Sequence, residues 1–346
     1  MIRKVSIPLI VGMIVAAGVG PSAFLATASL LTSALLLLCV TFFRELPSPS
    51  FPLLFFFIGI FCYSSYSLPA AAAFSNPFST LTISKALDHI PFSSEKTSEL
   101  LKALLTGRKE GLDSSTVTAF RSSGASHILA LSGLHLGVLY IVISKPLAIL
   151  GNTVPAYRIR CCSTILISGI YVLATGAGPS IVRAFLFILL NEISKLHPER
   201  KKDGILVFWT AITVQAVLDP PVIRSESFQL SYLAVLGILL FYPALKGFYP
   251  EGGGRWSIMR RIWNSASLSI SCQILTAPLA FHYFGTFPKY FLITNLIALP
   301  LTEVLIAGGT LCAILALAGC CPAALARPVE TVASLLVNSL ETISGM

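Results

Sequence analysis

Leu53-Leu-Phe-Phe-Phe-Ile-Gly-Ile-Phe-Cys62 is an uninterrupted apolar run, and Leu233-Ala-Val-Leu-Gly-Ile-Leu-Leu-Phe241 is another. Such runs recur along the chain, which is 55% hydrophobic and only 11% charged. A soluble domain has about 25% charged residues. The strands of a membrane β-barrel alternate apolar and polar residues, and these runs do not. The sequence therefore predicts an all-α polytopic membrane protein.

The apolar segments are candidate membrane spans, because a bilayer core of about 30 Å needs roughly 20 helical residues. They are residues 5–20, 22–43, 51–67, 125–149, 158–174, 179–196, 204–218, 228–248, 262–283, 290–318 and 322–343. The segment 290–318 is long and contains Pro300, which predicts a kink or a break. Since the first and seventh segments are short, we expect about 9–11 transmembrane helices.

Lysine and arginine clusters predict the orientation of the chain. The clusters at 158–160, 195–202 and 246–261 are separated by pairs of spans, so all three can lie on the cytoplasmic side. This rule, rather than nucleic-acid binding, explains most of the net charge of +9. We expect the chain to cross a membrane several times. The stretch 68–124 then lies outside.

This outer stretch is the one long polar region. Ser93–Thr106 has the pattern of an amphipathic helix, with Ser93 as its cap and Gly107 at its end. Asp113 caps a second short helix. The apolar stripe of the first helix is Leu100, Leu101, Leu104 and Leu105. The cationic residues of the stretch are Lys85, Lys96, Lys102, Arg108, Lys109 and Arg121. They oppose the positive-inside trend, so either the loop is exempt from it or it binds something anionic.

The richest polar sequence in an apolar span is His127-Ile-Leu-Ala-Leu-Ser-Gly-Leu-His135. On an ideal helix Ser132 and His135 share a face, with His127 near its edge and His135 about 15 Å into the span. Gly133 and Gly137 are spaced to permit close helix approach. These residues either line a wet path or form a polar patch that holds helices together.

A second polar sequence is Gly176-Ala-Gly-Pro179-Ser180-Ile-Val-Arg183. Proline is favoured in the first turn of a helix, so Arg183 lies about one turn into a new span. A helix N-terminus with an added arginine suits a phosphate or a carboxylate. The structural alternative is an arginine that extends towards the membrane surface or bonds backbone carbonyls.

Further polar residues occur singly in apolar sequence. Gln229 and Ser231 open the span at 228–248, and Asn295 opens the one at 290–318. Each alone is explained more simply by a structural hydrogen bond than by a ligand. With His127 and Arg183 they lie near the outer ends of their spans, so a polar path from the outside is a hypothesis.

Motifs for ATP hydrolysis and for metal binding are absent from the sequence. There is no Gly-x-x-x-x-Gly-Lys-Ser/Thr, no His-Glu-x-x-His and no Cys-x-x-Cys. The eight cysteines all lie in apolar segments, where packing is the expected role. We therefore expect no cofactor, no metal and no catalytic residue.

Residues 127–137 closely resemble the signature of the ComEC family, the membrane channels of bacterial competence. Leu101–Gly124 resembles the sequence that leads into that signature, and Gly176–Ala184 resembles the family's Gly-x-x-x-Ser-x-x-Arg-Ala element. Asp219-Pro220 and Ser227–Gly237 continue in the family's order. So do Gln273–Pro278, Tyr283–Gly285 and Asn295–Pro300. The resemblance covers about residues 95–320.

The resemblance implies a conduit that passes one strand of incoming DNA through the cytoplasmic membrane during natural transformation. Residues 1–92 would be N-terminal spans and an outer loop, and 93–346 the competence-type channel domain. Larger family members carry an OB-type domain and a metallo-β-lactamase-like domain, and neither is expected here. The expected partners are single-stranded DNA, the lipid bilayer, a separate DNA receptor outside and a separate ATP-driven motor in the cytoplasm.

Two other functional classes are open. A secondary transporter of a small anionic or lipid-like solute would use Arg183 as its counter-ion, but no inverted repeat is evident. An intramembrane enzyme would use His127, Ser132 and His135, since a serine can be activated by a neighbouring histidine. No oxyanion-stabilising group is evident for that chemistry.

Overall fold

The described residues of the computed structural model are 2–20, 22–42, 50–66, 85, 87, 88, 90, 92–151, 153–195, 203–248, 256–285, 289–317 and 323–345. Within these ranges the chain forms thirteen α-helices and no strand. The helices are α1 (Ile2–Val19), α2 (Ala23–Phe42), α3 (Ser50–Tyr66), α4 (Glu95–Thr106), α5 (Ser114–Ser122), α6 (Gly133–Leu147), α7 (Val154–Ala174), α8 (Pro179–Lys195), α9 (Gly204–Leu218), α10 (Glu226–Lys246), α11 (Trp256–Phe284), α12 (Phe291–Leu317) and α13 (Ala323–Ser344).

Five elements of the described chain are long and apolar enough to cross a membrane: α1, α6 with the 3₁₀ turn that follows it, α7, α10 and α12. Shorter apolar stretches lie in α2, α3 and α9. The chain is a polytopic α-helical membrane protein, as its composition predicts.

Residues 1–75 and 197–235 form one compact unit, which contains α1, α2, α3, α9 and the start of α10. Helices α1 and α3 touch through their backbones. A Cβ atom at Gly12 would collide with the Phe56 carbonyl oxygen, and one at Gly59 would collide with the Leu9 carbonyl oxygen. Small residues at both positions permit this approach.

Residues 76–196 and 236–346 form the second unit. Its largest core contains side chains of α4, α5, α12 and α13. The predicted leucine stripe of α4 enters this core, and each of its four leucines is at most 3% exposed. Gly107 ends α4 as predicted, with a φ of 77°. The N-cap residue of α4 is Ser94 rather than Ser93, whereas Asp113 precedes α5 as predicted.

Most predicted spans agree with the helices within a few residues, and three differ informatively. The predicted span 125–149 begins as a helix only at Gly133. Helix α11 begins at Trp256, six residues before the predicted start at 262. Helix α12 continues through Pro300, so the predicted break does not occur.

Candidate anion-binding site

The start of α6 is a cap that uses His135. Ser132 is the N-cap residue, and its hydroxyl accepts a hydrogen bond from the Leu134 backbone N–H at 3.3 Å. The His135 Nδ1 atom accepts a hydrogen bond from the Ser132 backbone N–H at 3.1 Å. This is a capping box in which histidine takes the place usually held by Glu or Gln.

The cap determines the tautomer of His135. A backbone N–H only donates, so Nδ1 is an acceptor and the neutral ring carries its proton on Nε2. His135 is 1% exposed, and its Nε2 atom has no hydrogen-bond partner within the described part of the chain. The histidine thus presents a buried N–H donor beside the N-terminus of α6.

The same cap corrects two predictions about the signature. Residues 125–132 are not α-helical. Ser132 and His135 therefore do not share a helical face, and their contact is that of a cap. His135 lies in the first turn of α6 instead of about 15 Å into a span.

The start of α8 carries Arg183. The preceding loop turns through Gly176 and Ala177, whose φ values of 87° and 50° are left-handed. Helix α8 then begins at Pro179, where the missing N–H costs no helical hydrogen bond. Arg183 is 8% exposed, and its Nη2 atom donates to the Ser180 hydroxyl at a distance of 3.5 Å.

Helices α6 and α8 meet at Gly133. A Cβ atom there would lie 3.2 Å from Arg183 Nη2 and 3.4 Å from Ala184 Cβ. The glycine therefore lets the guanidinium lie against the first turn of α6, as the small-residue pattern predicts. At Gly137 a Cβ atom would meet nothing within 4 Å, so the same prediction is wrong there.

A second contact between α6 and α8 lies further along both helices. The Tyr140 hydroxyl donates to Glu192 at 2.6 Å, and Lys195 Nζ donates to the Tyr140 oxygen at 2.8 Å. Lys195 also forms an ion pair with Glu192, which is 5% exposed. The contacts follow the same order along both helices, so α6 and α8 are parallel and their N-termini lie at the same end.

The electrostatics of this end favour an anion. Each helix N-terminus carries roughly half a positive charge, and two such termini converge on the guanidinium. Gly133, His135, Ser180 and Arg183 together are called the Arg183 site below. Its guanidinium and helix N-termini suit phosphate or carboxylate oxygens, and His135 lies in the same first turn of α6 as Gly133. Within the described residues no group of His, Cys, Asp and Glu is arranged to hold a metal ion.

The other predicted site residues lie in other segments of the chain, and some of them form structural hydrogen bonds. His127 is exposed in the segment before α6, with its Nδ1 atom 3.2 Å from the Gly124 carbonyl oxygen. Gln229 Nε2 donates to the Ile223 carbonyl at 2.8 Å, which fixes the start of α10. Gln229 and the half-buried Ser231 belong to the first unit, whereas the Arg183 site belongs to the second.

Asn295 lies near the start of α12 in the second unit. Its side-chain oxygen is buried without a hydrogen-bond partner among the described residues. The neighbouring Thr294 hydroxyl donates to the Ser123 carbonyl at 2.7 Å, which attaches α12 to the end of α5. A path that includes Asn295 stays a prediction.

The predicted basic loop is partly neutralised by its own carboxylates. Lys102 pairs with Asp88 and with Glu99, each at 2.6 Å. Arg108 pairs with Glu110 at 3.1 Å. Lys109 and Arg121 are exposed and form no ion pair with the described residues. Of these four cations, Lys109 and Arg121 are therefore the ones left to bind an anion, and anion binding by the loop stays a prediction.

Sequence analysis missed the cluster of Tyr140, Glu192 and Lys195. Glu192 and Lys195 are three residues apart on α8, but Tyr140 lies 52 and 55 residues away from them, so no local motif joins all three. One signal was present, because Glu192 is the only carboxylate in α8 and lies three residues before Lys195. A single acid in such a helix predicts a buried partner.

The fold and the Arg183 site define a class: polytopic helical membrane proteins with a buried cation at converging helix N-termini. Comparison with protein families is more specific, because the model of the family described as "Competence protein" matches residues 104–346. The chain belongs to this family, as the resemblance of residues 127–137 and the later elements implied.

Two curated relatives match parts of the chain. ComE operon protein 3 of Bacillus subtilis (strain 168) is 23% identical over 218 residues, which is 63% of this chain and 26% of the relative. An uncharacterized protein of Aquifex aeolicus (strain VF5) is 30% identical over 146 residues, which is 42% of this chain and 32% of the relative. The matches thus span about a quarter and a third of these relatives. No solved structure matches the chain.

Proposed function

We propose that this chain takes part in DNA uptake, as a channel that passes one DNA strand across the bacterial cytoplasmic membrane during natural transformation. Membership of the Competence protein family supports a role in uptake. The proposal treats the chain as a conduit without catalytic activity. A DNA receptor outside the membrane and an ATP-driven motor in the cytoplasm would be separate proteins.

The observation that supports a strand-conducting role is the Arg183 site. A DNA strand carries one negative charge per nucleotide and needs cationic or hydrogen-bond-donating groups along its path. Arg183 is 8% exposed, and Gly133 leaves room for its guanidinium at the start of α6. A guanidinium in this setting can hold a phosphate through charge-assisted hydrogen bonds.

The test is uptake by variants of Arg183 in a deletion strain complemented with each gene. Arg183→Gln should lower the entry of labelled DNA into the cytosol by about 10- to 100-fold, since a charge-assisted hydrogen bond contributes about 1.5–3 kcal/mol. Arg183→Lys should keep part of the activity, because it retains the charge without the planar fork. Binding of DNA at the cell surface should be unchanged in both.

The matched control removes Arg224, an exposed arginine that is not part of the Arg183 site. Arg224 lies outside α8, with its guanidinium 5.9 Å from the centre of the Tyr63 ring. Arg224→Gln should leave uptake within about twofold at equal protein level. If Arg183→Gln and Arg224→Gln transport DNA equally well, the Arg183 site is not on the strand's path. Loss of small-anion uptake with normal transformation would favour a solute transporter instead.

A further inference from the structure

Positions along helix α12 indicate depth in the membrane. Phe291–Ala316 is one of the five segments of the described chain that are long and apolar enough to cross a bilayer. At 1.5 Å per residue it is about 39 Å long, which exceeds a bilayer core of about 30 Å. The middle of this helix is Val304. Groups that contact α12 within a few turns of Val304 therefore lie at the depth of the hydrocarbon.

Two contacts attach the α4–α5 segment to α12. The Thr294 hydroxyl donates to the Ser123 carbonyl at the end of α5. A Cβ atom at Gly309 would lie 2.6 Å from Leu101 and 3.4 Å from Leu105, both on α4. Thr294 and Gly309 are about 22 Å apart along the helix axis. The segment thus lies alongside the membrane-crossing part of α12, with α4 only about 8 Å along the axis from its middle.

Helix α4 carries charge at this depth. Opposite its leucine stripe lie Glu95, Lys96, Glu99 and Lys102. The Lys96 side chain is 76% exposed and pairs with Asp113, which is 48% exposed. Exposed charges at bilayer depth are not placed against lipid, because hydrocarbon cannot solvate them. This face of α4 therefore contacts something polar.

Helix α13 shows the same feature independently. Only five residues separate it from α12 in sequence, and a Cβ atom at Gly308 would lie 2.7 Å from the Val329 side chain. The two helices therefore pack side by side in a hairpin, and α13 extends back through the same depth. Its exposed face is mostly polar: Arg327, Thr331, Ser334, Asn338, Glu341 and Thr342. Helix α13 is not among the helices of the described chain that are long and apolar enough to cross a membrane.

The polar faces of α4 and α13 are close to each other. The Ser94 backbone N–H, immediately before α4, donates to Glu330 of α13 at 2.6 Å. Glu330 is next to Thr331 on the exposed face. By contrast, the exposed side chains of α12 include Ile297, Val304 and Leu311, which suit lipid.

We infer that α4 and α13 wall a water-filled vestibule that extends into the bilayer beside α12. The outer stretch of the chain folds back along α12 instead of remaining above the membrane. Its occupant is water, because both faces present charged, hydroxyl and amide groups without a continuous apolar stripe. This inference needs only that α12 crosses the membrane, so it does not depend on the proposed transport of DNA.

The test compares two leucines in the unmodified protein, reconstituted in lipid nanodiscs. Leu335 is 50% exposed on the polar face of α13, and Leu311 is 42% exposed on α12. Hydroxyl radicals generated in water should oxidise Leu335 at least fivefold faster than Leu311, as measured by mass spectrometry. In detergent-free denaturant the two rates should become equal, because leucines have the same intrinsic reactivity.

A second measurement examines α4 by spin labelling. A label at Lys96→Cys should collide with a water-soluble nickel complex, and a label at Val304→Cys should collide with oxygen dissolved in the lipid. Three results would each overturn the vestibule. Equal protection of Leu335 and Leu311 means that lipid or a second copy covers α13. Equal oxidation of both, or nickel access at Val304, means that α12 is not embedded at this depth.

Discussion

At the scale of single residues, His135 combines a structural and a chemical function. Its Nδ1 atom completes the cap of α6, whereas Nε2 is a buried donor with no partner within the described residues. The two functions use different atoms, so substitution can separate them. A glutamine retains the capping acceptor, and an alanine removes both groups.

We predict that His135→Ala lowers the free energy of unfolding by about 1 kcal/mol, the typical value of a lost cap. His135→Gln should restore most of this stability. Thermal unfolding of the purified protein in detergent measures both. If Nε2 contacts the passing strand, His135→Gln is stable yet transports DNA several-fold more slowly than wild type. A stable glutamine variant with normal transport would leave only the cap as the role of His135.

Gly133 and Gly137 form a matched pair on α6. A methyl group at position 133 meets Arg183 Nη2 at 3.2 Å, whereas one at position 137 meets nothing within 4 Å. We predict that Gly133→Leu abolishes DNA entry and Gly133→Ala reduces it. Gly137→Ala should be neutral or stabilising by up to about 1 kcal/mol, because alanine is the better helix former. Transformation frequency at equal protein level measures the difference, and equal effects at both positions would contradict it.

At the scale of elements, sequence predicts a helix boundary well where local chemistry sets it. The predicted span 204–218 coincides with α9, because the Asp203 side chain caps its start and Asp219-Pro220 ends it. The prediction that residues 125–132 open a helical span is wrong, because the apolar residues that continue from them into α6 do not mark where the helix begins. Ile128 and Leu129 are indeed buried, but in a non-helical segment that packs against the core. Tertiary packing holds that conformation, and its local sign is Ser132, a residue type favoured at the N-cap, which starts α6 at Gly133.

For the Arg183 site, sequence identifies the residues but not their contact. Arg183, Gly133 and His135 were identified as polar or small residues in apolar sequence. Their convergence depends on the parallel packing of α6 and α8, which sequence spacing does not report. The contact of Tyr140 with Glu192 that shows this packing joins residues 52 positions apart.

The polar cluster between α6 and α8 gives a prediction at this scale. Tyr140→Phe removes a hydrogen bond to a buried carboxylate and should cost about 1.5–3 kcal/mol of stability. The control is Tyr157→Phe, since the Tyr157 hydroxyl has no hydrogen-bond partner within the described chain. That variant should unfold at or slightly above the wild-type temperature, because it removes a buried hydroxyl that makes no hydrogen bond. Equal melting temperatures for the two variants would show that the cluster does not hold these helices together.

At the scale of the whole molecule, the number of crossings between two points decides which side of the membrane each faces. Between the α4–α5 turn and the end of α10 lie α5, whose nine residues are too few to cross, and the five helices α6, α7, α8, α9 and α10. Helix α9 has 15 residues, about 22 Å, and is short for a bilayer core of about 30 Å. If all five helices cross, the two points lie on opposite sides. If α9 does not cross, they lie on the same side.

Lys109 and Lys246 test this count, since both are exposed lysines at those two points. We predict that all five helices cross, because the positive-inside rule places Lys246 in the cytoplasm and the polar stretch before α6 outside. In spheroplasts of a cysteine-free background, Lys109→Cys should react with an impermeant maleimide. Lys246→Cys should react only after the membrane is permeabilised. Labelling of both cysteines in intact spheroplasts would mean an even number of crossings. One of the two shortest candidates, α8 with 17 residues or α9 with 15, would then enter the bilayer without spanning it. Labelling of Lys246→Cys alone would reverse the orientation and place the Arg183 site at the inner end of α6 and α8, where an incoming strand would reach it last.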